Sequence, residues 1–143
     1  MIRPSVDLAL ELNHSVREED EWFDEPDDLE RLRRAFTSID EVEECVEAAA
    51  ILMFRVARAQ AFGEANKRTA LLLARWILDR NGVNGSVIIP PEDRVVADLL
   101  VQAAAGQDVE SKLLEVLPLS FGECRQRVAL NNAIRCLVTR RQL

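Results

Sequence analysis

At 143 residues the chain is long enough to bury a core of its own and short enough to need no second domain. Hydrophobic residues make up 48%, with five glycines, five prolines and no tyrosine, the composition of an all-α globule filled by Leu, Val and Ala. A net charge of −7 and a pI near 4.8 exclude a surface built to read a nucleic-acid duplex, which needs a broad basic face, so any phosphate bound here is expected to be held locally.

Residues 5–16 read as a first helix, in which Ser5 can cap and Val6, Ala9, Leu10, Asn13 and Val16 recur at three- and four-residue steps. The single histidine, His14, lies at its end, where a solvated or packed role is the commoner one and catalysis the alternative. From Arg17 to Glu30 the chain is acidic, with Trp22 and Phe23 embedded in carboxylates, which reads as a solvated loop with one aromatic anchor. Pro26 at a first helical position, followed by Leu29, Leu32, Arg33 and Phe36, predicts a short second helix ending at Thr37-Ser38. Ser38-Ile39-Asp40-Glu41 then has the form of a capping box. The long helix that follows carries an apolar stripe of Val42, Cys45, Val46, Ala49, Leu52, Met53 and Val56. Arg55 and Arg58 near its end are either surface charges or an extension of the cationic field that comes next.

That field lies in Gln60-Ala61-Phe62-Gly63-Glu64-Ala65-Asn66-Lys67-Arg68-Thr69-Ala70, a loop feeding a helix that runs apolar almost all round to the C-cap pair Asn81-Gly82. Beyond it, Ser86-Val87-Ile88-Ile89 suggests an irregular or briefly extended segment. Pro91-Glu92-Asp93 starts another helix, which ends near Gly106, and Asp108 caps a shorter one through Leu117. Residues 123–140 carry Leu130, Ala133, Ile134, Leu137 and Val138 on one face and arginines elsewhere. The expected division is a helical unit over 1–117 and an added amphipathic helix within 118–143, which packs on the same domain or joins two copies as a homodimer. Cys45, Cys124 and Cys136 show no C-x-x-C spacing and suit buried thiols in a reducing cytoplasm. With neither a signal-like apolar segment nor a membrane-length run, a cytoplasmic location without membrane contact is expected.

The chemistry legible in residues 60–70 is that of an anion site. A helix start leaves its first N–H groups unpaired and partly positive, which favours phosphate oxygens before any side chain contributes. Lys67 and Arg68 add full charges, Asn66 can fix the loop or donate to a phosphate oxygen, and Glu64 can hold a divalent cation that bridges phosphates.

This stretch resembles the signature of the Fic/Doc (Fido) family, H-x-F-x-[D/E]-G-N-x-R, and most closely its Doc (death-on-curing) toxin branch, H-x-F-x-D-A-N-K-R-T-A. Phe62, Glu64, Ala65, Asn66, Lys67, Arg68, Thr69 and Ala70 match, allowing Glu for Asp, while Gln60 stands where the family has its catalytic histidine. The resemblance implies a single-domain Fido-type bundle of about seven helices around a central motif helix. It further implies a transferase that moves a phosphoryl or nucleotidyl group from ATP or another nucleoside triphosphate, with Mg²⁺, to a protein hydroxyl in the translation machinery. Gly63, Ala65, Asn66, Lys67 and Arg68 would bind phosphate, Glu64 the metal, and Phe62 would anchor the loop in the core. Lys67 with Ala65 is Doc-like, and that branch phosphorylates its target.

Gln60 removes the family's base, because an amide has no pKa near neutrality. The open readings are an altered or impaired transferase, with His14 as an alternative base, or an inactive nucleotide-binding pseudoenzyme or antitoxin-binding interaction protein. The resemblance makes the acidic stretch around residues 18–28 a target-docking flap suited to a basic segment. Ser15…Glu19, Thr37…Glu41 and Ser111…Glu115 have the spacing of the family's inhibitory helix without its following Gly or Asn, so restraint is expected from a separate antitoxin.

Overall fold

The structure, a computed structural model, describes residues 1–17, 27–91 and 93–117. The expectations for the acidic stretch 18–26, for Pro26, for the C-terminal helix of 123–140 and for Cys124 and Cys136 lie outside these residues.

Helix α1 (Val6–Val16) begins where Ser5 accepts a hydrogen bond from the Leu8 N–H. Helix α2 (Leu29–Thr37) is capped by Asp28, whose carboxylate accepts from the Arg31 N–H. Helix α3 (Cys45–Ala59) starts later than the Ser38 capping box suggests. The Ser38 hydroxyl donates instead to the Ala35 carbonyl and so closes α2, while Glu44 takes the capping role by accepting from the N–H groups of Val46 and Glu47. A serine that can satisfy either end of a helix serves whichever end packing puts beside it.

Helix α4 (Asn66–Arg80) stops at Asn81, with Gly82 at φ 84° continuing the turn. Where the sequence suggests an irregular or briefly extended segment at 86–89, the chain makes a single turn, α5 (Gly85–Ile88), because the Asn84 side chain caps Ser86 and Val87. Gly85 is required there, since a Cβ would come within 2.7 Å of the Arg75 carbonyl oxygen on α4. Helix α6 (Arg94–Ala104) is capped by Asp93, and a helix over 110–117, α7, follows Asp108. The described residues thus form seven helices and no strand, the expected all-α bundle.

The α3/α4 pair is the centre of the bundle; α6 and α2 pack on α3, and α1 packs on α4. Ala48, Ala49, Ala50 and Ala57 of α3, with Ala70 and Ala74 of α4, are fully buried, so small side chains let the two backbones approach. Leu52, Met53, Leu73, Ile77, Leu78, Leu100, Leu113 and Leu117 fill the surrounding space. Residues before α1 are strapped to both ends of the pair's surroundings. Arg3 donates to the carbonyls of Ile39 and Val42, and the Asn81 amide pairs with the backbone of Ile2. Among the described residues no helix is long and apolar enough to cross a membrane.

Candidate functional site

The loop from α3 to α4 is bracketed by two non-glycine residues in the left-handed region. Gln60 (φ 50°, ψ 42°) ends α3 and Ala65 (φ 65°, ψ 29°) opens α4. The two reversals return the chain sharply enough for the start of α4 to open beside the end of α3. Asn66 holds this shape from within. Its Oδ1 accepts from the Phe62 N–H at 3.0 Å and its Nδ2 donates to the Phe62 carbonyl at 3.0 Å, with a weaker contact of 3.5 Å to Gln60 Oε1. Asn66 therefore fixes the loop, one of the two roles open to it from sequence. Phe62 is buried, as an anchor should be.

Helix α1 braces the loop from behind. Asn13, fully buried, donates from Nδ2 to the Glu64 carbonyl at 2.8 Å and to Thr69 Oγ1 at 3.1 Å, and Thr69 in turn donates to the Ala65 carbonyl at 2.7 Å. Arg17, one turn on, approaches Asn13 Oδ1 at 3.4 Å and Asp27 at 3.5 Å. Sequence reading placed Asn13 on the apolar stripe of α1 without giving it a task. An amide at a stripe position was the available signal, because a buried amide must find partners.

These constraints leave a cavity of about 330 Å³ lined by Gln60, Gly63, Glu64, Ala65, Asn66, Lys67 and Arg68. Ala65 has no side chain able to cap α4, so the helix start carries no side-chain cap, and exposed Lys67 and Arg68 stand on its first turn. Arg68 Nη1 donates to the Val16 carbonyl at 2.6 Å, which ties this guanidinium to the end of α1. Gln60 turns its amide back on its own helix, Nε2 donating to the Ala57 carbonyl at 2.7 Å.

Glu64 is exposed and, among the described residues, is the only carboxylate on the lining. Among the described residues no group of three His, Cys, Asp or Glu could hold a metal alone. One carboxylate beside an anion site fits a hard cation such as Mg²⁺, which takes its other ligands from phosphate oxygens and water. His14 is not brought to this cavity. It stands at the end of α1 with Nε2 3.8 Å from Asp27, while the other residues expected at the site line one space.

Comparison with known proteins agrees with the geometry. The model of the Fic/DOC family matches residues 7–78, from α1 through nearly all of α4. Protein kinase doc of Escherichia phage P1 is 37% identical over 89 residues, covering 62% of this chain and 67% of that protein. No solved structure matches. The helix start without a side-chain cap and the two adjacent cations on its first turn lie inside the matched span, and the chain belongs to the Fic/DOC family.

Proposed function

We propose that the chain is a Doc-like transferase whose chemistry is slowed at one position. It binds a nucleoside triphosphate at the start of α4 and passes a phosphoryl group, or alternatively a nucleotidyl group, to the hydroxyl of a protein in the translation machinery. The observation that carries this reading is the cavity that gathers Lys67, Arg68, Glu64 and the uncapped helix start in one place. The relative named as a protein kinase supports phosphoryl over nucleotidyl transfer.

In phosphoryl transfer the target oxygen forms a bond to the γ-phosphorus, the bond from that phosphorus to the bridging oxygen breaks, and the nucleoside diphosphate leaves. Lys67, Arg68 and the first N–H groups of α4 would hold the phosphates and offset charge as it develops, and Glu64 would hold Mg²⁺, which supplies further neutralisation. Among the described residues the lining offers the hydroxyl proton no acceptor comparable to imidazole, so it passes to solvent or to phosphate. Loss of a general base costs about 10²–10⁴ in rate. The proposed setting is the cytoplasm, with a separate antitoxin as the restraining partner.

The second reading, a nucleotide-binding pseudoenzyme or an interaction protein, is favoured by the Gln60 amide, which is engaged with Ala57 and cannot take a proton. Replacing Gln60 with histidine separates the two. In a lysate supplied with Mg²⁺ and γ- or α-labelled ATP, Gln60→His should raise label transfer to a protein by about 10²–10⁴. Label from the γ position marks phosphoryl transfer and from the α position nucleotidyl transfer. Equal nucleotide binding by Arg68→Ala in calorimetry would remove the phosphate assignment. Transfer by neither form, with binding intact in both, would leave the pseudoenzyme.

A further inference from the structure

A second cavity, of about 500 Å³, lies between α2 and α3 and is lined by Arg31, Arg34, Ala35, Arg55, Arg58 and Ala59. Four guanidinium groups round one space are a local inversion of charge in a chain with 18 basic and 25 acidic residues. The arginines form two pairs, each pair three residues apart on one helix, so each spans about one turn. Three of them are already positioned by neighbours. Arg31 donates to the Ala59 carbonyl at 3.2 Å and stands 3.4 Å from Asp28; Arg55 donates to Glu110 at 2.8 Å; Arg58 lies over the Phe54 ring at 5.6 Å. Arg34 is exposed and has no carboxylate within ion-pair range among the described residues. A guanidinium carries five N–H donors in a planar fork, so each neighbour contact leaves donor capacity for a ligand.

The surroundings discriminate between anions. A compact phosphate is favoured at helix starts, where N–H groups converge, as at the start of α4. This cavity lies at no helix start among the described residues: the middle of α2 and the final turn of α3 border it, so an anion there is held by the arginine forks alone. Among the described residues no aromatic face lines it for a nucleobase, the Phe54 ring being buried with Arg58 stacked on it. Paired forks at one-turn spacing on adjacent helices match a run of carboxylates, each gripped bidentately. We propose that this cavity docks an Asp/Glu-rich segment of a partner protein. Because Ala59 directly precedes Gln60, the docked segment would lie beside the nucleotide cavity while using none of its charged groups.

The test is fluorescence anisotropy of the full chain with a labelled helical peptide bearing Glu at three- and four-residue steps, against a peptide with Gln in their place. The Glu peptide should bind at low salt and weaken as salt is raised. Arg34→Glu, at an exposed position, should weaken it by roughly five- to tenfold and Arg34→Gln by less, with both variants keeping the parent melting temperature, while Arg68→Ala has no effect. The proposal is overturned by absence of binding at low salt, or by binding that ignores Arg34→Glu. It also fails if inorganic tripolyphosphate displaces the peptide at lower concentration with the same Arg34 dependence, which would make the cavity a phosphate site. Binding that appears only after Glu18, Glu19, Asp20, Glu21, Asp24 and Glu25 are changed to their amides would assign the cavity to the chain's own acidic stretch and overturn the partner.

Discussion

Gln60 and Ala65 hold the two left-handed backbone conformations on which the loop depends, and neither is glycine. A side chain with a Cβ pays roughly 1–2 kcal/mol for that region. The position of Ala65 is the one where the general family signature has glycine, and Ala65→Gly should therefore be neutral or stabilising by up to about 1 kcal/mol, part of the gain being offset by the looser unfolded chain. Chemical denaturation would measure it. A loss of stability instead would show that the Ala65 methyl, nearly buried, contributes more by packing than it costs in strain. Histidine is among the residues enriched in left-handed backbone, so Gln60→His is expected to fit the α3 end without rebuilding the loop. What it gives up is the Gln60 bond to the Ala57 carbonyl.

Helix α1 does more than cover apolar surface, because Asn13 reaches through the bundle to the backbone of the loop at Glu64 and to Thr69 on α4. Truncation by Asn13→Ala leaves the part-buried Glu64 carbonyl and the buried Thr69 hydroxyl short of a donor, at a cost of about 1–3 kcal/mol. On the proposed function, the outcome that distinguishes a brace from ordinary packing is nucleotide affinity. Asn13→Ala should weaken binding at the start of α4, whereas a variant of matched stability loss elsewhere in the core should leave it unchanged, both measured by calorimetry below the melting temperature. Arg68 is tied to the same helix through the Val16 carbonyl, so α1 orients a cation of the site as well as its loop.

For the molecule as a whole, the α3/α4 pair sets both stability and the position of the site. Leu73 is fully buried on α4, and Leu73→Ala should cost about 2–5 kcal/mol through lost burial and the cavity left behind. A thermal melt would register it as a fall on the order of ten degrees. The overall charge of −7 coexists with two local concentrations of cations, Lys67 with Arg68 and the four arginines between α2 and α3. A net charge describes the surface on average and says nothing of where helices bring like charges together.

Sequence alone determined the all-α class, a helix fed by the loop of residues 60–70 and stopped at Asn81-Gly82, and the grouping of Gly63 to Arg68, since apolar periodicity and cap residues are local properties of the chain. It pointed to Ser38 as the opening of α3 where Glu44 serves instead, because both are competent caps and packing selects one. It could not convert Asn13 from a stripe residue into the brace of a loop 51 residues away, or set Arg31 and Arg34 opposite Arg55 and Arg58. Those relations exist only once α1 lies on α4 and α2 on α3. Contacts between residues distant in sequence are fixed by how helix faces pack, which no local pattern encodes.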